Sequence, residues 1–177
     1  MGSLHIVLGP MFSGKTTYLI DVYKNLMNNG QKVCVINYSG DTRYHEHMLS
    51  THTKIMIPCI QLSALSNFDM SPYDCILINE GQFFQDLKEN VLDYVDNMKK
   101  HVYVVGLDGD YTRSRFGSIL DLIPYCDSVK KLTASCIMCD NDAIFTTRTT
   151  NDRQQTIIGT DMYKPLCRRC YIDDTSD

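Results

Sequence analysis

Three groups of residues in this chain have the types and the spacing for chemistry. Gly9-Pro10-Met11-Phe12-Ser13-Gly14-Lys15-Thr16 fits G-x-x-x-x-G-K-[ST], a loop that cradles the phosphates of a nucleotide. Gly9 and Gly14 let backbone N–H groups turn inward around an anion. Lys15 brings a point positive charge to the β- and γ-phosphates, and the Thr16 hydroxyl can ligate Mg²⁺. The second group is Asn79-Glu80, which follows the apolar run 75–78. A carboxylate at the end of such a strand can act as general base toward an acceptor hydroxyl. The acid that holds Mg²⁺ in segments of this kind is usually an aspartate; Asn79 stands in that place and adds no charge. The third group is two C-x-x-C knuckles, Cys136 with Cys139 and Cys167 with Cys170. Four thiolates so paired complete a tetrahedral Zn²⁺ site with no open position, which makes the metal structural. Residues 140–166, 27 in number, separate the knuckles and form a larger loop than a usual zinc ribbon. Two disulfides or a redox pair are the alternatives.

These groups need elements to position them. Residues 4–8 are mostly apolar and read as a buried parallel strand. From Thr17 the apolar residues Leu19, Val22, Tyr23, Leu26 and Met27 follow helical spacing, and Gly30 supplies a left-handed cap. Strand, phosphate loop and helix therefore come in the required order, which argues against a chance glycine-rich turn. Further strands are expected at 32–37, 55–61, 75–78, 101–107 and 129–134, with short helices at 62–68 and 119–123 and a longer one at 86–100. Residues 37–54 read as a polar loop. Within it, Asp41 and Arg43 offer a metal ligand and a phosphate cation, although spacing alone favours a solvated turn. His45, His47 and His52 lack ligand spacing and read as plain loop histidines. Residues 111–116 combine two arginines with two aromatics, as a lid or as a solvated helix start. Residues 143–147 and 155–158 are expected to pair as a hairpin within the zinc-stapled loop. The pattern predicts an α/β fold: a P-loop (RecA-like) parallel sheet flanked by helices, over residues 1–134, with a small C-terminal zinc-ribbon or lasso domain over 135–177.

Composition sets the remaining bounds. A length of 177 residues suits one good core with a small appendage. A net charge of −4 weighs against a general nucleic-acid binder. No apolar run approaches the roughly 20 residues that span a membrane, and no signal peptide is expected. A nucleotide-dependent enzyme works in a reducing compartment, so the eight cysteines read as thiols or metal ligands. Cys34, Cys59, Cys75 and Cys126 read as inert core thiols.

In combination, Gly-Pro-Met-Phe-Ser-Gly-Lys-Thr (9–16), Asp-Thr-Arg-Tyr (41–44), Glu-Gly-Gln-Phe-Phe (80–84), Leu-Asp-Gly (107–109), Leu-Thr-Ala-Ser-Cys (132–136) and the two knuckles resemble the type II thymidine kinases, the cellular and poxvirus-like class. The compact length and short tail are most similar to the poxvirus members. The resemblance implies transfer of the ATP γ-phosphoryl group to the 5′-hydroxyl of thymidine, with Mg²⁺ and a structural Zn²⁺. It implies Glu80 as general base, Lys15 and Thr16 at the phosphates and Mg²⁺, and Arg43 near the phosphates, which reverses the local reading of that arginine. Met11, Phe83, Leu107, Tyr111 and Phe116 match positions that enclose base and sugar. Residues 146–163 match the family's lasso, with Thr146, Gln155, Thr156, Ile157, Ile158 and Gly159 along the base and Tyr163 near the sugar. Fixed backbone groups suit the O4 and N3–H of thymine, because a base with a different edge leaves pairs unmet. The family also implies a homotetramer, inhibition by dTTP and a cytoplasmic location, the host cytoplasm for a viral chain.

The chain departs from the family pattern at Asn79, which predicts weaker Mg²⁺ engagement at that side or compensation from Asp41. It also departs at Tyr111, whose hydroxyl needs a partner where phenylalanine is usual, and at Ile158-Gly159-Thr160-Asp161, where a double glycine is usual. Competing readings are another P-loop deoxynucleoside kinase, a GTPase, which the missing Asn-Lys-x-Asp motif disfavours, and an ATP-driven zinc-knuckle nucleic-acid-binding protein, for which Arg168 and Arg169 offer slight support.

Overall fold

The computed structural model describes residues 1–40, 48–50, 55–150, 152–157, 159 and 161–175. Asp41, Arg43, the three loop histidines, Ile158 and Thr160 lie outside the described residues. In chain order the elements are β1 (Ser3–Leu8), α1 (Lys15–Asn28), β2 (Val33–Tyr38), β3 (Met48–Ser50), β4 (Met56–Pro58), β5 (Ile60–Leu62), β6 (Cys75–Ile78), α2 (Leu87–Leu92), β7 (His101–Gly106), β8 (Ser128–Lys131), β9 (Ala134–Ser135), β10 (Asp142–Ala143), β11 (Phe145–Arg148), β12 (Tyr163–Leu166) and α3 (Arg168–Asp174).

Six strands form one parallel sheet in the order β5-β2-β6-β7-β1-β8. Side chains alternate across it, as a pleated strand requires. Leu4, Ile6, Leu8, Ile36, Ile76, Ile78, Val102 and Val104 bury themselves with Leu87 and Val91 of α2 on one face. Val7, Val35, Leu77 and Val105 meet Leu19 and Ile20 of α1 on the other. Both faces are covered, which is why these strands read as near-continuous apolar runs. The C-terminal ends of β1, β6 and β7 lie side by side, and the chemistry-bearing loops leave from there.

α1 ends as its sequence requires. Gly30 takes φ 74°, and the N–H groups of Gly30 and Gln31 bond back to Met27 and Leu26. The helix expected over 86–100 is shorter: α2 passes at Asp93–Asn97 into a π-turn. Asp86 does not cap its own helix. Its carboxylate accepts from the N–H groups of Leu65 and Ser66 and so closes the 3₁₀ turn Leu65–Asn67.

Three short pairings differ from expectation. Residues 48–50, inside the predicted polar loop, form β3 and pair antiparallel with β4, because Leu49 and Ile57 are buried on the α1 face. The strand expected over 55–61 is thereby split between this hairpin and the edge strand β5. The stretch after Lys131 leaves the sheet, and β9 pairs antiparallel with β10. Between the two cysteine knuckles β11 pairs with β12 and, among the described residues, not with 155–157, in the register Phe145↔Leu166 to Arg148↔Tyr163. That register brings Leu166 and Cys167 into a small C-terminal cluster with Ala134, Cys136, Ala143, Cys170 and Tyr171. Among the described residues no helix is long and apolar enough to cross a membrane.

Candidate active site

The loop after β1 turns through three positive φ angles, at Gly9 (152°), Phe12 (65°) and Gly14 (79°). Gly9 is required by a close approach. A Cβ there would lie 2.6 Å from the Leu132 carbonyl, just past β8, where the Leu132 N–H bonds Leu8. Ser13 Oγ donates to the Pro10 carbonyl at 2.8 Å, and the buried Lys15 Nζ donates to the same oxygen at 2.6 Å. Thr16 follows in the first turn of α1, where helix N–H groups and the dipole favour anions. From the far side, Met11 N–H donates to Thr146 Oγ1 of β11 at 2.9 Å, which ties the phosphate loop to the C-terminal unit.

Glu80 leaves β6 in a left-handed conformation, φ 54° and ψ 43°, uncommon for a residue with a side chain. It persists because its surroundings hold it. Gln82, 1% exposed, donates from Nε2 to Glu80 Oε2 at 2.6 Å and accepts the Leu107 N–H at 3.0 Å on Oε1. Two glycines make room for Gln82, Gly106 at its side-chain amide and Gly117 at its backbone carbonyl. A Cβ on Gly106 would sit 2.3 Å from Gln82 Oε1, and one on Gly117, at φ 62°, only 2.1 Å from the Gln82 carbonyl. Glu80 is thus tethered through one carboxylate oxygen at the wall of the cavity.

Asn79 is 3% exposed. Its Nδ2 donates to Asn37 Oδ1 at 2.9 Å, and Asn37 Nδ2 donates in turn to Gln61 Oε1 at 3.3 Å. This relay of amides runs across the C-terminal ends of β6, β2 and β5. The Asn79 amide nitrogen is thereby turned toward β2.

The third wall joins residues 110–116 to the loop between the two cysteine knuckles. Asp110 Oδ1 accepts from Thr112 N–H, Thr112 Oγ1 and Ser114 N–H, and its Oδ2 accepts from Gln155 Nε2 at 2.8 Å. Burial raises the Asp110 carboxyl, but these donors outweigh it and hold the carboxyl below its ordinary range. The Tyr111 hydroxyl finds its partner in the Arg153 carbonyl at 3.2 Å. The Tyr163 hydroxyl both accepts from the Ile157 N–H and donates to the Ile157 carbonyl, at 3.1 Å each.

Together these elements enclose a cavity of about 690 Å³. Met11 to Thr16, Asn79 and Glu80 line it, as do Phe83, Leu107, Tyr111, Phe116, Thr146, Gln155, Thr156, Ile157, Gly159 and Tyr163. Gly9 and Pro10 shape the loop from outside it. Tyr38 and Gln82, which sequence reasoning did not single out, line it too. Phe83 stacks on Tyr38 at 5.2 Å and meets Phe116 edge-on at 5.3 Å, a rigid apolar wall suited to a flat ring.

The four knuckle cysteines converge away from this cavity, with all sulfurs within 4.8 Å of one another. Cys139 Sγ is 3.6 Å from the sulfurs of both Cys167 and Cys170. A tetrahedral zinc with bonds of about 2.3 Å needs sulfurs about 3.8 Å apart, so the group could hold that ion. The thiols also perturb one another. Burial pushes Cys136 up, but the Cys167 and Met138 N–H groups and the neighbouring thiols hold it down to about 6. Cys170 is pushed up to about 12 by its hydrogen bond with Cys167 and by burial. A divalent cation relieves this competition for negative charge. All eight cysteines are free thiols, and burial drives Cys34 to about 12 and Cys59 to about 11, as inert core thiols require.

The thymidine kinase family model matches residues 2–171. Among named relatives, Thymidine kinase a of Arabidopsis thaliana is 44% identical over 97% of this chain and 75% of its own length. The thymidine kinase of Yaba monkey tumor virus is 41% identical over 97% of this chain and 95% of its own length. That of Vaccinia virus is 39% identical over 97% and 98%.

Proposed function

The chain belongs to the thymidine kinase family, and we propose that it transfers the γ-phosphoryl group of ATP to the 5′-hydroxyl of thymidine in the cavity between the phosphate loop, Glu80 and the zinc-stapled loop. One observation carries this reading. The phosphate loop and a tethered carboxylate line the same cavity, so an acceptor hydroxyl can stand between base and phosphate.

In this reading residues 9–16 hold the triphosphate through backbone N–H groups and the start of α1. Lys15, with Arg43, neutralises charge on the transferring group. Glu80, oriented by Gln82, accepts the 5′-hydroxyl proton as the hydroxyl attacks. Mg²⁺, when bound, would offset charge on the phosphates; Thr16, Asn79 and Asp41 would hold it. Only one of these three is an acid, and Asn79 contributes a neutral oxygen. The thymine ring lies against Phe83 and Phe116, with Met11, Leu107 and Tyr111 around base and sugar. The backbone of 156–159 reads the base edge, and Tyr163 fixes that backbone from behind through Ile157. We read residues 1–134 as the nucleotide-binding domain and 135–177 as the lasso domain, stapled by a structural Zn²⁺. A homotetramer, inhibition by dTTP at the acceptor site and a cytoplasmic location complete the proposal.

The test is a panel of nucleosides incubated with ATP and Mg²⁺, with the product's phosphate located by NMR. Phosphorylation of thymidine at O5′, well above that of deoxycytidine and purine nucleosides, is expected. Transfer to none of them, or a purine preference, would overturn the proposal.

A further inference from the structure

Thr146 and Arg148 are two residues apart on β11 and so share its cavity-facing side. Thr146 reaches the cavity, whereas Arg148 lies one layer behind it. Its side chain is buried, the residue being 7% exposed. Nη1 donates to the carbonyls of Asp152 at 2.8 Å and Gln154 at 2.5 Å. Nη2 donates to the Gln155 carbonyl at 3.1 Å and the Tyr163 hydroxyl at 2.9 Å. The guanidinium carbon stands 3.9 Å from the centre of the Tyr111 ring and 5.2 Å from that of Tyr163. Among the described residues no carboxylate pairs with Arg148, and its Nε is buried without an acceptor.

A buried cation held only by neutral groups is uncommon, because desolvation is expensive. Three of the partners, Tyr111, Gln155 and Tyr163, line the cavity, and Tyr163 in turn clamps the backbone of Ile157 on both sides. One planar fork therefore sets the ring positions and the path of residues 152–157 together. Lysine cannot replace it, since a compact ammonium cannot reach four separated acceptors while lying flat on a ring.

We propose that Arg148 is a positioning residue for nucleoside binding, holding residues 152–157 and the Tyr111–Tyr163 wall in register without touching the nucleoside. The identity of the nucleoside rests on the functional reading above; the clamp itself does not. Its loss should loosen the acceptor wall and leave the phosphate loop, held from β1 and α1, in place. The role predicts a split between KM values, which a general stabilising residue does not produce.

The experiment compares the full chain with R148M and R148K, the second retaining the charge so that at least one variant folds. Three quantities are read: KM for thymidine and for ATP, zinc per chain, and the rate of tryptic cleavage after the exposed Arg153. Both variants should raise the thymidine KM at least tenfold with ATP KM within twofold and zinc retained, and cleavage after Arg153 should be at least fivefold faster. An unchanged thymidine KM would overturn the proposal. So would a parallel rise in both KM values with loss of zinc, which is the mark of general unfolding. If the wild-type chain phosphorylated no thymidine, the functional reading would fall, and the cleavage comparison would still decide the clamp: unchanged cleavage rejects it, and accelerated cleavage supports it.

Discussion

Replacing Gln82 by methionine isolates the tether on Glu80. Methionine has a similar length and fills the same glycine-lined slot, but it cannot donate to a carboxylate. Two hydrogen bonds disappear: the 2.6 Å bond to Glu80 and the 3.0 Å bond from Leu107 N–H. The first is charge-assisted, and the second leaves a part-buried donor without a partner, so a loss of about 2–4 kcal/mol in stability is expected. In a chain of this size each kcal/mol moves Tm by roughly 2–4 °C, which gives a fall of about 5–15 °C. The kinetic effect comes from orientation. Glu80 keeps its left-handed backbone but gains freedom at its carboxylate, and kcat should fall roughly 10–100-fold, or about 1.4–2.7 kcal/mol. The ATP KM should hold, because Gln82 has no bond to the phosphate loop. Steady-state kinetics beside a thermal melt separates the two effects. A lowered Tm with wild-type kcat would show that Gln82 merely fills space, and unchanged values of both would refute the geometry.

Three further outcomes follow from other residues. Asn79→Asp should lower the Mg²⁺ concentration needed for half-maximal activity, while the buried charge and the broken donation to Asn37 cost about 1–3 kcal/mol in denaturant unfolding; an unchanged Mg²⁺ titration would reject a metal role for this position. Elemental analysis should find one zinc per chain, and Cys139→Ser should lower zinc content and speed proteolysis of the C-terminal unit; a folded, active, zinc-free preparation would reject the metal. Asp110 and Asp86 have carboxyls held below the ordinary range, so their contribution is present above the unfolded-state pKa of about 4 and is lost as pH falls through the lower folded value. Denaturant unfolding should therefore be flat from pH 7 to about 5 and weaken below about 4, with a shallower acid decline in Asp110→Asn; identical declines would remove Asp110 from the account.

Much of the site is legible because its signals are local. Strand, glycine loop, Lys15-Thr16 and amphipathic helix follow one another within a few turns of chain, and each knuckle is complete in four residues. The rest depends on partners far away in sequence. Gln82 matters through Leu107, and Asn79 through Asn37, and no local pattern marks either pair. Arg148 is invisible to spacing arguments because most of its partners are backbone carbonyls. The β3–β4 hairpin escaped notice since three-residue strands have too little length to show a period, although Leu49 and Ile57 are its buried anchors. The sequence favours 155–158 as the partner of β11, because those residues look more strand-like than Tyr163–Leu166 with its Pro165. The cysteine knuckle that follows β12 directly, with Cys167 and Cys170 in the C-terminal cluster, decides in favour of the latter. The added hydroxyl of Tyr111 raised a question that only the structure answers, through the Arg153 carbonyl.

The central claim is that Glu80 is the base for the acceptor hydroxyl. It is tested most directly by kcat for thymidine phosphorylation in Glu80→Gln at saturating ATP. The side chain keeps its size, so both substrates should still bind, while kcat should fall about 10²–10⁴-fold with the loss of proton acceptance. A Glu80→Gln chain that phosphorylates thymidine at the wild-type rate would contradict the account.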